Sequence, residues 1–593
     1  MRLHEIAHAR AGDKDTTSDI TVIAYRAEDF ELLRREVTAE RVREHFADIV
    51  RGEVQRFELP RLHALKFVLH NTLDGVTRSL DLDIHGKSLS SSLLELDVSE
   101  TSQQMAAMMQ QFADAGGIRP TGPTMTVDDP FFRYDRPAEF GVHSETIRVP
   151  MRDGSYLLCD LLRPAGANEP VEGAFPGLVY DFNAYSARMV FAGGAAPYVE
   201  RGYVALVPSV RGAGDSPGHV EPFGVQEQED GYDLVEWLAA QPFCTGRVGM
   251  QGISYGGHNT ILTAVNRPPH LVAIIPVQAL SDWYENTIYH GGIYNARIRD
   301  WQQATAPDTL ESYARHPLHD DFWRERSVKH RYDRLTLPML DIGGWLDQYR
   351  QAMVENFQAC EANTWMVAGP WEHGMVPGQT EDIGFAGYLA WWDLWLADRP
   401  SPLPGSKVTS YEMPGHGWRQ FDTWPPAESG ITQWFPAADG NLGSGAGQAG
   451  IAEFEQDGGK LVFSTVATEG VVITGGLEAA LRAGVTGADG NIAVVLDDVD
   501  EDGAAVRVSQ GWLKMSHRDG HDRIAAVEPD ALYDITIPIW PTHHRIVAGH
   551  TLRLTVSSED HPQIDTERLP GRIRVELGVG TMIRARTLPD SIV

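Results

Sequence analysis

Residues Gly249–Thr260 read GMQGISYGGHNT, with one serine, Ser254, set among Gly252, Gly256 and Gly257. A serine at a sharp strand-to-helix turn takes strained backbone angles and crowds both flanking elements, and glycines at the neighbouring positions relieve both problems. Here VGMQGI can supply the strand and HNTILTAV the helix. Such a turn lifts the Ser254 hydroxyl above the C-terminal edge of a sheet. It also aims the backbone N–H of Tyr255 at a reacting carbonyl oxygen, with the positive end of the helix dipole behind it. This is the pattern of a nucleophile elbow, G-x-S-x-G. The competing reading is a glycine-rich turn in any α/β sheet.

A hydroxyl is a weak nucleophile, so it needs a base, and the base needs a carboxylate to orient it. Behind such elbows the chain order is serine, acid, histidine, with the last two on loops after later strands. Asp347 follows the strand-like LPMLDIGG, and His373 follows TWMVAGP, 93 and 119 positions after Ser254. The first interval has room for an inserted cap. Asp341 falls inside a strand-like run and reads as structural, and His258 lies one helical turn after Ser254 and reads as a packed or exposed helix residue. Glu372 would point away from the site in an extended loop. A second oxyanion donor is expected in NAYSARM, the loop after FPGLVYDF, where the Tyr185 phenol could donate. On these grounds alone a stacking aromatic at the pocket rim explains Tyr185 equally well.

Elements able to position these groups are visible along the chain. From 140 to 400, short apolar runs (FPGLVYDF, YVALVPSV, RVGMQGI, LVAIIPVQA, LPMLDIGG, TWMVAGP) alternate with helical patterns such as DGYDLVEWLAAQ. That alternation predicts an α/β domain with a mainly parallel sheet. ETIRVPMRDGSYLLCDLLRP reads as a hairpin turning at RDGS. Residues 283–333, aromatic and charged, break the rhythm and read as a helical cap. From 401 to 593, ALYDITIPIW, TLRLTVSS and GRIRVELGV alternate as strands of a β-sandwich do. Residues 1–100 mix strand-like DITVIAY and TRSLDLDIHG with a helical pattern over 27–50, and the Gln-, Met-, Gly- and Pro-rich stretch 101–139 reads as a linker or tether.

Composition bounds the partners. The 593 residues carry 82 acidic and 50 basic side chains, a formal net charge of −32, which makes nucleic acid and anionic membrane poor partners. No run approaches 18 apolar residues and MRLHEIAHARAGDKD has no secretory pattern, so a cytoplasmic protein is expected. Cys159, Cys244 and Cys360 are far apart, and no metal-ligand spacing appears among them. They read as small buried hydrophobes.

The segments VRGAGDSPG, EDGYDLVEWLAAQPFCTGRVGMQGISYGG, GGWLDQY and AGPWEHG resemble the CocE/NonD hydrolase family, the group of cocaine esterase, α-amino-acid ester hydrolases, glutaryl acylases and X-prolyl dipeptidyl peptidases. GHGWRQFDTWPP and IWPTHHRIVAGHTLRLTVSSEDHP resemble that family's jelly-roll domain. The resemblance implies an α/β-hydrolase core with a helical cap and a C-terminal jelly-roll β-sandwich. It also implies Ser254 as nucleophile, Asp347 as acid, His373 as base, Tyr185 and Tyr255 as oxyanion hole, and Tyr349 as a residue lining the acyl pocket. The chain departs from the family's usual residues at Ser209, where an Asp precedes Val-Arg-Gly, and at Ala184, where a Pro precedes the oxyanion tyrosine. Its cap interval is also shorter than in cocaine esterase. Residues 1–100 resemble the ferredoxin-like AtuA-type domain, whose usual Gly-Asp-Lys-Gly ends here in Asp15; GDK itself reads as a capped turn or, in a functional reading, as an anion-binding loop or docking surface.

The function expected is a serine hydrolase cleaving an ester or amide of a small-molecule acyl substrate, with no metal or organic cofactor, as a homo-oligomer assembled through the N-terminal domain. An acyltransferase with the same triad, an X-prolyl or aminoacyl peptidase, and a non-enzymatic scaffold are the rival readings.

Overall fold

The computed structural model describes residues 3–14, 17–26, 29–30, 33–34, 37–46, 49–72, 89–94, 123–167, 169–374, 379–565 and 567–589. The chain divides into two compact units. One comprises Met1–Gln111 with Arg299–Pro307, and the other Phe112–Ile298 with Asp308–Val593.

In the first unit, strands β1 (Ala7–Lys14), β2 (Thr17–Ala24), β3 (Val54–Leu59) and β4 (Ala64–Leu69) form an antiparallel sheet in the order β1-β2-β4-β3. Ile20 and Val22 alternate inward along β2. They join Val42 and Phe46, from and just beyond the helix Ala39–His45, in one apolar core. Gly12–Lys14 are the last residues of β1, paired with Thr17–Asp19, rather than a capped turn. The strand expected at TRSLDLDIHG, Asp15 and most of the proposed linker (101–122) lie outside the described residues.

The second unit holds a ten-stranded sheet. Its strands are β5 (Gly141–Pro150), β6 (Tyr156–Ala165), β7 (Phe175–Tyr180), β8 (Val204–Pro208), β9 (Cys244–Ile253) and β10 (Leu271–Val277). A two-stranded ribbon in the cap, β11 (Tyr289–His290) and β12 (Ile293–Tyr294), precedes β13 (Met339–Gly344), β14 (Thr364–Gly369), β15 (Val408–Glu412) and β16 (Gly417–Phe421). The sheet order is β16-β15-β14-β13-β10-β9-β7-β8-β6-β5. It is parallel from β15 through β8 and antiparallel at both ends. Every apolar run quoted above forms one of these central strands, buried on both faces as parallel strands covered by helices must be. β5 and β6 form the hairpin expected around RDGS.

Strands β15 and β16 lie within the stretch read from sequence as sandwich, yet they complete the hydrolase sheet. β15 is buried at all five residues and pairs with β14, so it has no solvent face of the kind a sandwich strand shows. The sandwich itself begins at β17 (Gly430–Pro436). It continues through β18 (Leu442–Gly443), β19 (Gly450–Glu455), β20 (Lys460–Val466), β21 (Val471–Val485), β22 (Asn491–Val499), β23 (Ala505–Lys514), β24 (Tyr533–Ile546), β25 (Thr551–Ser557), β26 (Arg572–Leu577) and β27 (Met582–Pro589). These strands form one sheet of seven and one of four. Ile535, Ile537 and Ile539, Leu552, Leu554 and Val556, and Ile573, Val575 and Leu577 all point into the core between them, as their period of two requires.

Of the segment read as a cap, the β11–β12 ribbon and the helices Thr309–Ala314 and Asp321–Glu325 belong to the second unit, whereas Arg299–Pro307, which includes most of the helix Ala296–Thr305, belongs to the first. All three cysteines are buried and free. No helix among the described residues is long and apolar enough to cross a membrane.

Candidate active site

Strand β9 ends at Ile253 and the helix Tyr255–Val265 begins two residues later, so Ser254 alone makes the turn. Its φ of 57° and ψ of −114° lie in a region non-glycine residues rarely occupy, a strain of about 1–3 kcal/mol that the surroundings must hold. The Ser254 N–H donates to the Val277 carbonyl at 2.9 Å, and the Ser254 carbonyl accepts from the His258 N–H at 2.9 Å. The flanking glycines are required by close approach. A Cβ on Gly252 would stand 2.5 Å from the Gly256 carbonyl carbon, one on Gly256 2.4 Å from Asp181 Oδ1, and one on Gly257 2.6 Å from the Val277 oxygen.

Two loops bring the acid and the histidine to this turn. Asp347 follows β13 and His373 follows β14, and the loops are laced together. Trp345 N–H donates to the Gly369 carbonyl at 2.9 Å and Leu346 N–H to the Trp371 carbonyl at 3.2 Å. His373 Nδ1–H donates to Asp347 Oδ1 at 2.9 Å, and His373 Nε2 lies 2.9 Å from Ser254 Oγ. The Asp347 carboxylate is buried, at 1% exposure, against 32% for the His373 side chain. Asp347 Oδ1 also accepts the Tyr349 N–H at 3.1 Å, while its Oδ2 is buried without a hydrogen-bond partner.

The remaining sequence candidates surround this chain of contacts. The Tyr349 ring packs edge-on against the His373 imidazole, with centroids 4.9 Å apart. Burial pushes its phenol above the ordinary range, and the charge of Asp347 and the nearby Tyr185 phenol add to the effect. Tyr185 is half-buried, its ring edge-on to that of Tyr255 at 6.1 Å. Its loop is held by Asn183, whose Oδ1 accepts the Tyr185 N–H at 2.9 Å and whose Nδ2 donates to the Asp181 carbonyl and carboxylate at 2.8 and 2.9 Å. The Tyr255 backbone opens the helix, and its buried phenol turns inward and donates to Glu227 Oε2 at 2.8 Å.

The rejected candidates lie elsewhere. His258 is fully buried, with its ring nitrogens 3.2 and 2.8 Å from the Leu280 and Arg326 carbonyl oxygens. Burial lowers its pKa to about 4. Asp341 is buried in β13 with neither carboxylate oxygen hydrogen-bonded, and burial pushes its pKa well above the carboxylate range. Glu372 is exposed. Ser209, the departure from the usual Asp, accepts a hydrogen bond from Arg188 Nη1 at 3.0 Å.

Three residues of the site escaped the sequence reading. Gln278, directly after β10, brackets His373 from both sides. Its Nε2 donates to the Glu372 carbonyl at 2.7 Å and its Oε1 accepts the Gly374 N–H at 2.8 Å. A polar residue at the C-terminal end of an apolar strand was the available signal. Glu227, buried in the helix Val225–Ala239, accepts from Tyr255 and, at 2.8 Å, from Asn259 Nδ2. Burial pushes its pKa up to about 8, against the pull of those donors. Asp181 is pushed by burial to about 7. One group of metal-ligand types among the described residues, Asp282, His319 and His330, brings its ligand atoms within 4.8 Å of one another, and none of the three belongs to this site.

Known proteins resemble parts of this chain. The X-Pro dipeptidyl-peptidase (S15 family) domain matches residues 153–309 and 294–375, the X-Pro dipeptidyl-peptidase C-terminal non-catalytic domain matches 404–579, and the AtuA ferredoxin-like domain matches 1–99. Cocaine esterase from Rhodococcus sp. (strain MB1 Bresler) is 25% identical over 540 residues, covering 72% of this chain and 93% of its own. Among solved structures, a CocE/NonD family hydrolase from Staphylococcus aureus superposes with a TM-score of 0.69 at 19% identity, over 79% of this chain and 99% of its own. An α-amino acid ester hydrolase does so with a TM-score of 0.65 at 18% identity, over 76% and 98%. These structures share the fold. The chain is therefore a hydrolase whose α/β domain matches the S15 family over residues 153–375, with a matched X-Pro dipeptidyl-peptidase type C-terminal domain after it and a matched AtuA ferredoxin-like domain before it.

Proposed function

We propose that the protein cleaves an ester or amide bond of a small-molecule acyl substrate through a Ser254–His373–Asp347 triad. The observation that carries this reading is the unbroken chain Asp347 Oδ1, His373 Nδ1, His373 Nε2, Ser254 Oγ, with 2.9 Å at each hydrogen-bonding step. Asp347 accepts from Nδ1–H, which leaves Nε2 as the acceptor facing the serine hydroxyl. His373 takes the Ser254 proton as Oγ attacks the acyl carbon. The carbonyl π electrons move onto oxygen, and the tetrahedral oxyanion is met by the Tyr255 N–H and the Tyr185 O–H. Collapse expels the alcohol or amine with the proton from His373 and leaves an acyl-serine. Water, deprotonated by His373, then releases the acid and restores Ser254. Tyr349, packed edge-on against the imidazole, borders the acyl side of the site. The residues of this reaction scheme all belong to the second unit, which leaves the ferredoxin-like unit to drive homo-oligomerisation.

The test is turnover of a panel of aryl esters, alkyl esters, anilides and X-prolyl amides by the wild type and by Ser254→Ala. Loss of all turnover with an unchanged circular dichroism spectrum supports the reading, and near-normal turnover by the variant overturns it. Acyl transfer is separated from hydrolysis by mass analysis of products with a competing alcohol or amine. A chain beginning near residue 140 that elutes as the same oligomer would remove the assembly role.

A further inference from the structure

The cap holds a second cluster of chemically capable side chains. Asp282 lies five residues beyond β10 with its carboxylate fully buried. Its Oδ2 stands 2.9 Å from His319 Nε2 and 3.8 Å from His330 Nε2. Tetrahedral zinc ligands at about 2.1 Å from the ion stand about 3.4 Å from one another, a spacing these two distances bracket. The other carboxylate oxygen, Oδ1, accepts the Glu285 N–H at 2.9 Å, which fixes the carboxylate plane as an outer contact does in a metal site. His319 is buried and packs edge-on against Tyr284 at 5.2 Å. Its backbone N–H donates to the His521 carbonyl at 2.8 Å. The His330 side chain is 45% exposed, so one side of the cluster opens to solvent.

The backbone holds this arrangement independently of the three side chains. Val328 and Lys329 N–H groups both donate to the Ser281 carbonyl, at 2.9 and 3.0 Å, and Trp283 N–H donates to Ser327 Oγ at 2.9 Å. The segments bearing Asp282 and His330 are therefore fastened side by side.

Local charge favours a cation. The Lys329 ammonium is shared between Glu285 at 2.6 Å and Glu355 at 3.4 Å, so three carboxylates, with Asp282, face one ammonium. Nearby Arg324 is paired with Asp321 at 2.9 Å. Unbalanced buried carboxylate is costly unless a positive charge is supplied.

We propose that Asp282, His319 and His330 bind one divalent transition-metal ion, with water in the fourth position. Two neutral imidazoles and a carboxylate with an open site suit Zn²⁺ and exclude the hard cations that demand six or more oxygens. The ion fastens the cap segment 319–330 to the loop after β10, four residues beyond the glutamine that clamps His373. It takes no part in bond cleavage, and the proposal does not depend on the roles given to Ser254 or Tyr185.

The test uses the untagged full-length chain, stripped by chelator and titrated with Zn²⁺ in competition with a chromophoric chelator, and with Co²⁺ read by its visible d–d absorption. One equivalent of tight Zn²⁺ binding, a tetrahedral Co²⁺ spectrum and a metal-dependent rise in Tm are expected. His330→Ala, at the exposed ligand, should weaken binding at least about tenfold and abolish the Tm rise. His270→Ala, at an exposed histidine paired with Glu236 outside the cluster, should change neither. Absence of stoichiometric Zn²⁺ binding by the wild type, or equal affinity in His330→Ala, overturns the proposal.

Discussion

Replacing Asp347 by Asn isolates the electrostatic part of the proposed mechanism. One carboxylate oxygen, Oδ1, receives both the His373 Nδ1–H at 2.9 Å and the Tyr349 N–H at 3.1 Å, whereas Oδ2 has no partner. An asparagine with its carbonyl oxygen at the Oδ1 position keeps both contacts, and with them the orientation of the imidazole. Its NH₂ group then occupies the unpartnered position, a burial cost of about 1–3 kcal/mol in stability. The negative charge alone is lost. In the transition state His373 becomes an imidazolium. At an effective dielectric of about 20, unit charges about 3–5 Å apart attract by about 3–6 kcal/mol. At about 1.4 kcal/mol per decade, kcat should fall about 10²–10⁴-fold with KM nearly unchanged. The partial exposure of His373 favours the lower end of that range. Asp347→Ala, which removes the orienting contact as well, should fall further. Steady-state kinetics on an activated aryl ester, with Tm as the fold control, measure this. A folded Asp347→Asn variant with kcat within about threefold of the wild type would refute the assignment of Asp347.

Tyr185→Phe should lower kcat about 10²–10³-fold with KM held, the usual cost of one oxyanion donor; a raised KM at unchanged kcat would instead make Tyr185 a binding residue. Gly256→Ala forces a Cβ to within 2.4 Å of Asp181 Oδ1, so it should cost about 1–3 kcal/mol of stability and displace the elbow. A variant with wild-type Tm and kcat would contradict that account of the glycines. Glu227 has a folded pKa of about 8, raised from an ordinary 4.5. The neutral carboxyl is thus favoured in the fold, and its contribution is full below about pH 4.5 and is lost as pH climbs to about 8. Scanning calorimetry should therefore show the wild type losing more Tm between pH 5 and 9 than Glu227→Gln, and parallel curves would contradict it.

The groups proposed to react were legible in the sequence because each sits at a local junction with a pattern of its own. Ser254 lies between an apolar run and a helical one, and Asp347 and His373 each stand just past a short apolar strand. The sandwich strands were legible for a similar reason, since one buried face imposes strict alternation. What escaped notice depends on tertiary placement. Glu227 sits in VQEQED, an acidic run that reads as a solvated helix face, and only packing against the helix Tyr255–Val265 buries it. Gln278 acts on a loop 94 positions away. β15 and β16 share the texture of the sandwich strands, and nothing local tells which sheet edge they extend. Asp282, His319 and His330 have no metal-ligand spacing in sequence because a backbone pairing of distant segments, not one turn or helix, brings them together.

The central claim is that Ser254 is the group that attacks the acyl carbon. Treating the full-length protein with a fluorophosphonate and mapping the adduct by peptide mass spectrometry tests it most directly. One equivalent of label on Ser254, lost together with all ester turnover in a folded Ser254→Ala variant, is the result expected. An enzyme that turns over ester while its label lies on another residue, or while Ser254 remains unmodified at full inactivation, would contradict it.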